Sequence, residues 1–167
     1  DLSGKLISAQ SRSFDPNTGA VTASDPLIPA CEHGTEVAGV AAASTDDGVG
    51  VAGVSWGAKL VSLKVFADAD CNSVCCSPAG DCSYSGNTCG TSETAMSKAI
   101  DYARTDLHNK AGIGKVVLNM SLGAGNSCGA DYGPLITAVS NAESAGLVLV
   151  AAAGNDGGDV NSPGNCA

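Results

Sequence analysis

The chain has 167 residues and a formal net charge of −9, and its 8 Lys and Arg fall singly along it; this argues against a nucleic-acid partner, which would require a basic stripe. Its longest apolar run, residues 147–153, is far short of the roughly 20 residues that a membrane-crossing helix needs, so no membrane partner is expected. Hydrophobic residues make up 44% and aromatics only 4%, with 22 glycines, which predicts an α/β core of Ala, Val, Leu and Ile joined by tight turns.

In chain order, residues 2–8 alternate and predict a short strand, and the polar, Pro-containing residues 11–29 predict a surface loop. HGTEVAGVAAA, residues 33–43, predicts a helix with Val37, Val40 and Ala41 at helical spacing, ended by DDGVG at 46–50. KLVSLKVF at 59–66 alternates with β-branched residues and predicts a strand. Residues 91–108 place Ala95, Met96, Ala99, Ile100, Ala103 and Leu107 on one helical stripe behind a capping Thr and Ser. A strand follows at 115–121, a helix at 134–145 with Leu135, Ile136, Val139 and Ala142 inward, and a strand at 146–152. This alternation predicts one domain over residues 1–167, built on a parallel β-sheet with helices on both faces. Ligands in such folds sit at the carboxyl ends of the strands, here just after Phe66, Asn119 and Ala153.

Five of the eight cysteines, Cys71, Cys75, Cys76, Cys82 and Cys89, fall in one Ser-, Gly- and Asn-rich stretch, read as an insertion at about 68–89. Zinc prefers paired CxxC spacings or interspersed histidines, and this stretch has neither. A disulfide-stapled loop in an oxidising compartment fits better than the metal alternative.

Three motifs carry the chemistry: HGTEVAG from His33, NMSLG from Asn119 and AAAGNDG from Ala151. In this order and on these elements they resemble the subtilisin family of serine proteases. GVAGVSWGAKLVSLKVF from Gly50 is similar to the stretch after that family's histidine helix. The resemblance implies the central part of a secreted, monomeric serine endopeptidase acting on a protein or peptide substrate, with a propeptide or protein inhibitor as further partners. Acyl transfer needs a base that takes the serine proton near neutral pH and returns it to the leaving amine, the role implied for His33. It also needs a donor aimed at the oxyanion, the role implied for Asn155. Ser121, Leu122 and Gly123 match one substrate-binding edge, and Gly90, Thr91 and Ser92 match the other. Ala152 and Gly154 match the pocket wall, so an open apolar specificity pocket is expected.

The family's nucleophilic serine follows the oxyanion asparagine, whereas GTSETA from Gly90 precedes it, so Ser92 is not expected to be the nucleophile. The triad serine and aspartate are expected outside these residues, any signal or propeptide upstream, and the isolated chain is expected to be inactive. DLSGKLIS from Asp1 resembles the segment after the family's aspartate motif, and STDDGVGV from Ser44 resembles its calcium loop. Together they imply a structural Ca2+ held by Asp1, Thr45, Asp47, Val49 and Val51. Cys128 and Cys166 match a cysteine pair of bacterial members, which would leave Cys31 to pair within the cysteine-rich stretch.

Rival readings are weaker. GVGVAG from Gly48 fits a dinucleotide pattern but lacks a preceding strand, and His33 with Glu36 lacks the second histidine of a metal motif. The glycosylation sequon at Asn119 falls on a strand expected to be buried. A secreted pseudoprotease that binds peptides without cutting them is the alternative function.

Overall fold

Small residues at the end of the first long helix allow a close approach that organises the amino-terminal part of the protein. Its structure, a computed structural model, describes residues 1–22, 33–66, 90–123, 128–129, 132–155 and 157–166. Cys31, the insertion and its five cysteines lie outside the described residues. The chain divides into two units, one of Asp1–Pro16 with Val21–Gly90 and one of Asn17–Ala20 with Thr91–Ala167.

In the first unit, β1 (Arg12–Phe14) pairs antiparallel with β2 (Val21–Thr22) and parallel with β3 (Leu63–Lys64). The expected loop at 11–29 therefore contains a hairpin, because Phe14 is 3% exposed and anchors the segment to a core. The strand expected at 2–8 is reduced to a bridge between Leu6 and Leu60. Its continuation fails because Arg12 lies six positions after Leu6 while Leu63 lies only three after Leu60. The excess is taken up by a 3-10 turn at Ser8–Gln10, and Ser11 Oγ accepts from the Ser62 N–H at 3.0 Å where a ladder carbonyl would otherwise stand. The strand expected at 59–66 shortens to β3 for the same reason.

Helix α1 (His33–Ala42) ends against residues 54 and 55 of the same unit. Val54 and Ser55 donate their N–H groups to Val40 O and Ala41 O at 3.0 and 2.9 Å, satisfying last-turn carbonyls that the helix itself cannot. That approach requires Gly53, where a Cβ would run into the backbone of Ala42 and Ala43. Burial falls on Ala42 and Ala43 rather than on the expected stripe, and Val40 is 65% exposed. Lys5 is buried because its ammonium donates to Trp56 O at 2.6 Å.

In the second unit, β4 (Val117–Met120) and β5 (Val148–Ala151) are parallel, with Val117 opposite Val148 and Met120 opposite Ala151. Helix α3 (Gly133–Ser144) forms the crossover and packs on β5 and on helix α2 (Glu93–Tyr102). Leu135, Ala138, Val139 and Ala142 of α3 and Ala95, Ala99 and Ile100 of α2 form the core, at positions that the helical periodicity assigns with Ala138 added, whereas the expected Met96 and Ile136 are only half-buried. Pro134 suits the first turn of α3, and Gly146, at φ +89°, ends it in the left-handed conformation. After Tyr102 the backbone widens into a π turn at Ala103–Leu107, which keeps Ala103 and Leu107 buried.

Met120 is buried, while Val117, Asn119, Val148 and Val150 are exposed on the other face of the pair. Asn119 is thus not buried as expected; its Nδ2 donates to Ser121 Oγ at 3.0 Å. The fold class is α/β with parallel strands, as the element order predicts.

Candidate functional site

Parallel register brings two of the predicted site segments to one edge. Met120 and Ala151 are partners at the carboxyl ends of β4 and β5, so residues 121–123 and 152–155 leave the sheet side by side. Ala152 extends the ladder by donating its N–H to Met120 O at 3.1 Å. Pairing stops there, and Gly154 turns the chain at φ +94°, a left-handed value that favours glycine. Asn155 follows on an exposed bend. Ser121 and Leu122 are half-buried and Gly123 is exposed.

A third segment backs this edge. Cys128 and Cys166 form the expected disulfide. Ser162, 1% exposed, places its Oγ 3.4 Å from Cys128 Sγ and 3.5 Å from Cys166 Sγ. The Cys128 N–H donates to Asn165 Oδ1 at 3.2 Å. Residues 161–164 then touch the site loops: Asn161 donates its N–H to Ala153 O at 3.3 Å, and a Cβ on Gly123 would stand 3.3 Å from Ser162 O. Sequence reasoning recognised only the cysteine of SPGNC. The neighbouring Asn and Gly carry no signal of their own, because their meaning depends on what they approach.

Of the other expected edge, Gly90 closes the first unit while Thr91 and Ser92 open the second. No strand forms there. Ser92 is the N-cap of α2 and its Oγ accepts from the Ala95 N–H at 3.1 Å, the local use that a Ser before an apolar helix predicts. Thr91 Oγ1 is buried without a hydrogen-bond partner. His33 is the first residue of α1 and is exposed; it belongs to the first unit and Asn155 to the second.

The predicted calcium residues lie in the first unit around a recess of about 210 Å³ lined by residues 44–52. Asp47 Oδ1 accepts from the Val49 N–H at 3.1 Å, and Asp1 Oδ2 accepts from the Val51 N–H at 3.2 Å. Asp1 O also accepts from the Ser44 N–H at 2.7 Å, which fastens the first residue to the loop. A Cβ on Gly50 would overlap the Asp1 carboxylate, so the carboxylate fills the space that this glycine leaves. Carboxylate and carbonyl oxygens, which Asp1, Asp47 and this loop supply, are the ligand types that Ca2+ takes. Among the described residues no group of three or more His, Cys, Asp or Glu gathers that could hold a metal ion.

The model of the subtilase family matches residues 1–167. This chain belongs to the subtilase family. It is 34% identical over 148 residues to an extracellular protease of Xanthomonas campestris pv. campestris, covering 85% of this chain and 21% of that protein. It is 34% identical over 137 residues to an extracellular basic protease of Dichelobacter nodosus, covering 80% and 19%. It is 35% identical over 127 residues to subtilisin-like protease 3 of Arthroderma benhamiae, covering 76% and 24%. The subtilase chain described here thus spans about a fifth to a quarter of the length of these curated relatives.

Proposed function

We propose that this subtilase segment is part of a secreted serine endopeptidase that hydrolyses peptide bonds by a Ser/His/Asp mechanism, with the serine and the triad aspartate supplied by residues outside these 167. His33 acts as the base that deprotonates the serine hydroxyl and then protonates the leaving amine. Asn155 donates from its side-chain amide to the oxygen that becomes negative in the tetrahedral intermediate. The observation that carries this reading is the shared carboxyl edge of β4 and β5. There residues 121–123 and a glycine-turned asparagine emerge together, where parallel α/β sheets present ligand sites. Substrate backbone pairs with residues 121–123 on one side and 90–92 on the other. Ala152 and Gly154, small and without charge, line a pocket for an apolar side chain. Export is supported by the names of the two bacterial relatives, both called extracellular. A propeptide or protein inhibitor would occupy the same groove. A Ca2+ held by Asp1, Asp47 and the oxygens of Thr45, Val49 and Val51 would brace the loop after α1.

The test is turnover of chromogenic peptides by the full protein that carries this chain, with loss of turnover on adding a serine-directed phosphonate. Binding without turnover would replace the endopeptidase by a peptide-binding pseudoprotease. Turnover by the isolated 167-residue chain would overturn the assignment of the nucleophile to residues outside it.

A further inference from the structure

Among the described residues, the loop that delivers Asn155 is held beyond the end of β5 by one neighbouring segment. Its last ladder bond is the one from Ala152 to Met120, and the left-handed turn at Gly154 stands between that bond and the donor. What meets the loop is residues 161–164. Each of the three residues ahead of Asn155 is touched by this segment. A Cβ on Gly164 would stand 2.9 Å from Ala152 O, so the absence of a side chain there lets the two backbones meet. Ala153 O accepts the Asn161 N–H at 3.3 Å. At Gly154, a Cβ would stand 2.7 Å from Asn161 Nδ2 and 3.3 Å from Asn161 Cγ, so the Asn161 amide fills the space over that glycine. The segment is itself anchored by the Cys128–Cys166 disulfide and by buried Ser162 lodged against both sulfurs.

We propose that Asn161 is a positioning residue for the oxyanion donor: its amide and N–H fix Ala153 and Gly154, and through them the direction in which Asn155 presents its amide. This rests on the reading of Asn155 given above. Asn161 need not touch substrate. Oxyanion stabilisation depends on donors held at the place where charge develops, and a donor that must reorganise during the reaction loses that advantage. A displacement on the order of 1 Å is enough to cost a large factor in rate. Because the donor acts on the transition state, the effect belongs in kcat rather than in KM.

The experiment is a double-mutant cycle in the full protein, with steady-state kinetics on a peptide substrate. Asn161→Ala is expected to lower kcat about tenfold with KM changed by less than about twofold, and to change kcat by less than about twofold when Asn155 is already Ala. Asn161→Leu, which keeps the shape over Gly154 without placing a charge beside the oxyanion, is expected to hold kcat within about threefold of the parent. If Asn161→Ala does not fold, Asn161→Ser carries the test, since it keeps a small polar side chain but removes the amide over Gly154 and should give the same Asn155-dependent loss. A loss of equal size with and without Asn155, a loss confined to KM, or no loss would overturn the positioning role while leaving the Asn155 reading intact. An unmodified protein with no turnover would overturn that reading, and the positioning role with it.

Discussion

Asn155 and Gly50 are the single residues on which most turns. Asn155→Ala in the full protein is expected to lower kcat with KM little changed, by roughly 10²–10³, a magnitude carried over from the corresponding donor of a subtilisin rather than derived from this chain. Peptide kinetics check it, and a drop of less than about tenfold would remove Asn155 from the oxyanion hole. Gly50 sits at φ +58° with the Asp1 carboxylate where a Cβ would go. Gly50→Ala therefore adds a clash to left-handed strain and is expected to destabilise by about 1–3 kcal/mol. Gly48, at φ +74°, has nothing within 4 Å, so Gly48→Ala should cost only the conformational part, about 1 kcal/mol. Denaturant midpoints of the two variants, compared side by side, test whether Asp1 occupies that space.

At the level of elements, the ends decide more than the interiors do. Helix α2 begins on the Ser92 cap, and Ser92→Ala is expected to cost about 1 kcal/mol, most of it regained in Ser92→Asp. Equal stability of all three proteins in urea would mean that the cap contributes nothing. The disulfide closes a separation of 38 residues, for which the chain-entropy model gives about 4 kcal/mol. The paired change of Cys128 and Cys166 to Ser should lower stability by that order. A change of less than about 1 kcal/mol would show that residues 161–166 hold by packing alone. The strands were harder to foresee than the helices. α2 and α3 each carry an apolar stripe most of which is buried, whereas β1 and β3 are set by a mismatch between Leu6 and Arg12 that appears only once the two strands are paired.

For the whole molecule, the proposed Ca2+ would raise stability by binding the folded state alone, by about 2.7 kcal/mol at a concentration a hundredfold above its dissociation constant. A chelator is therefore expected to lower the thermal midpoint of the full protein, and added Ca2+ to restore it. Asp47→Asn should blunt that response. A midpoint indifferent to chelator would remove calcium from the loop at 44–52. The acidic balance, net −9, makes cation binding electrostatically favourable.

Local order alone determined the α/β class, the three helices with the buried stripes of α2 and α3, and the family motifs around His33, Asn119 and Asn155, because periodicity, capping and short motifs act between near neighbours along the chain. Tertiary structure decided the rest. The lengths of β1 and β3, the exposed face of Asn119 and Val148, the carboxylate against Gly50 and the amide over Gly154 all depend on which distant backbone arrives at a given point. A glycine or an asparagine reads the same in every sequence, and its use appears only when the atom it makes room for, or leans on, is in place.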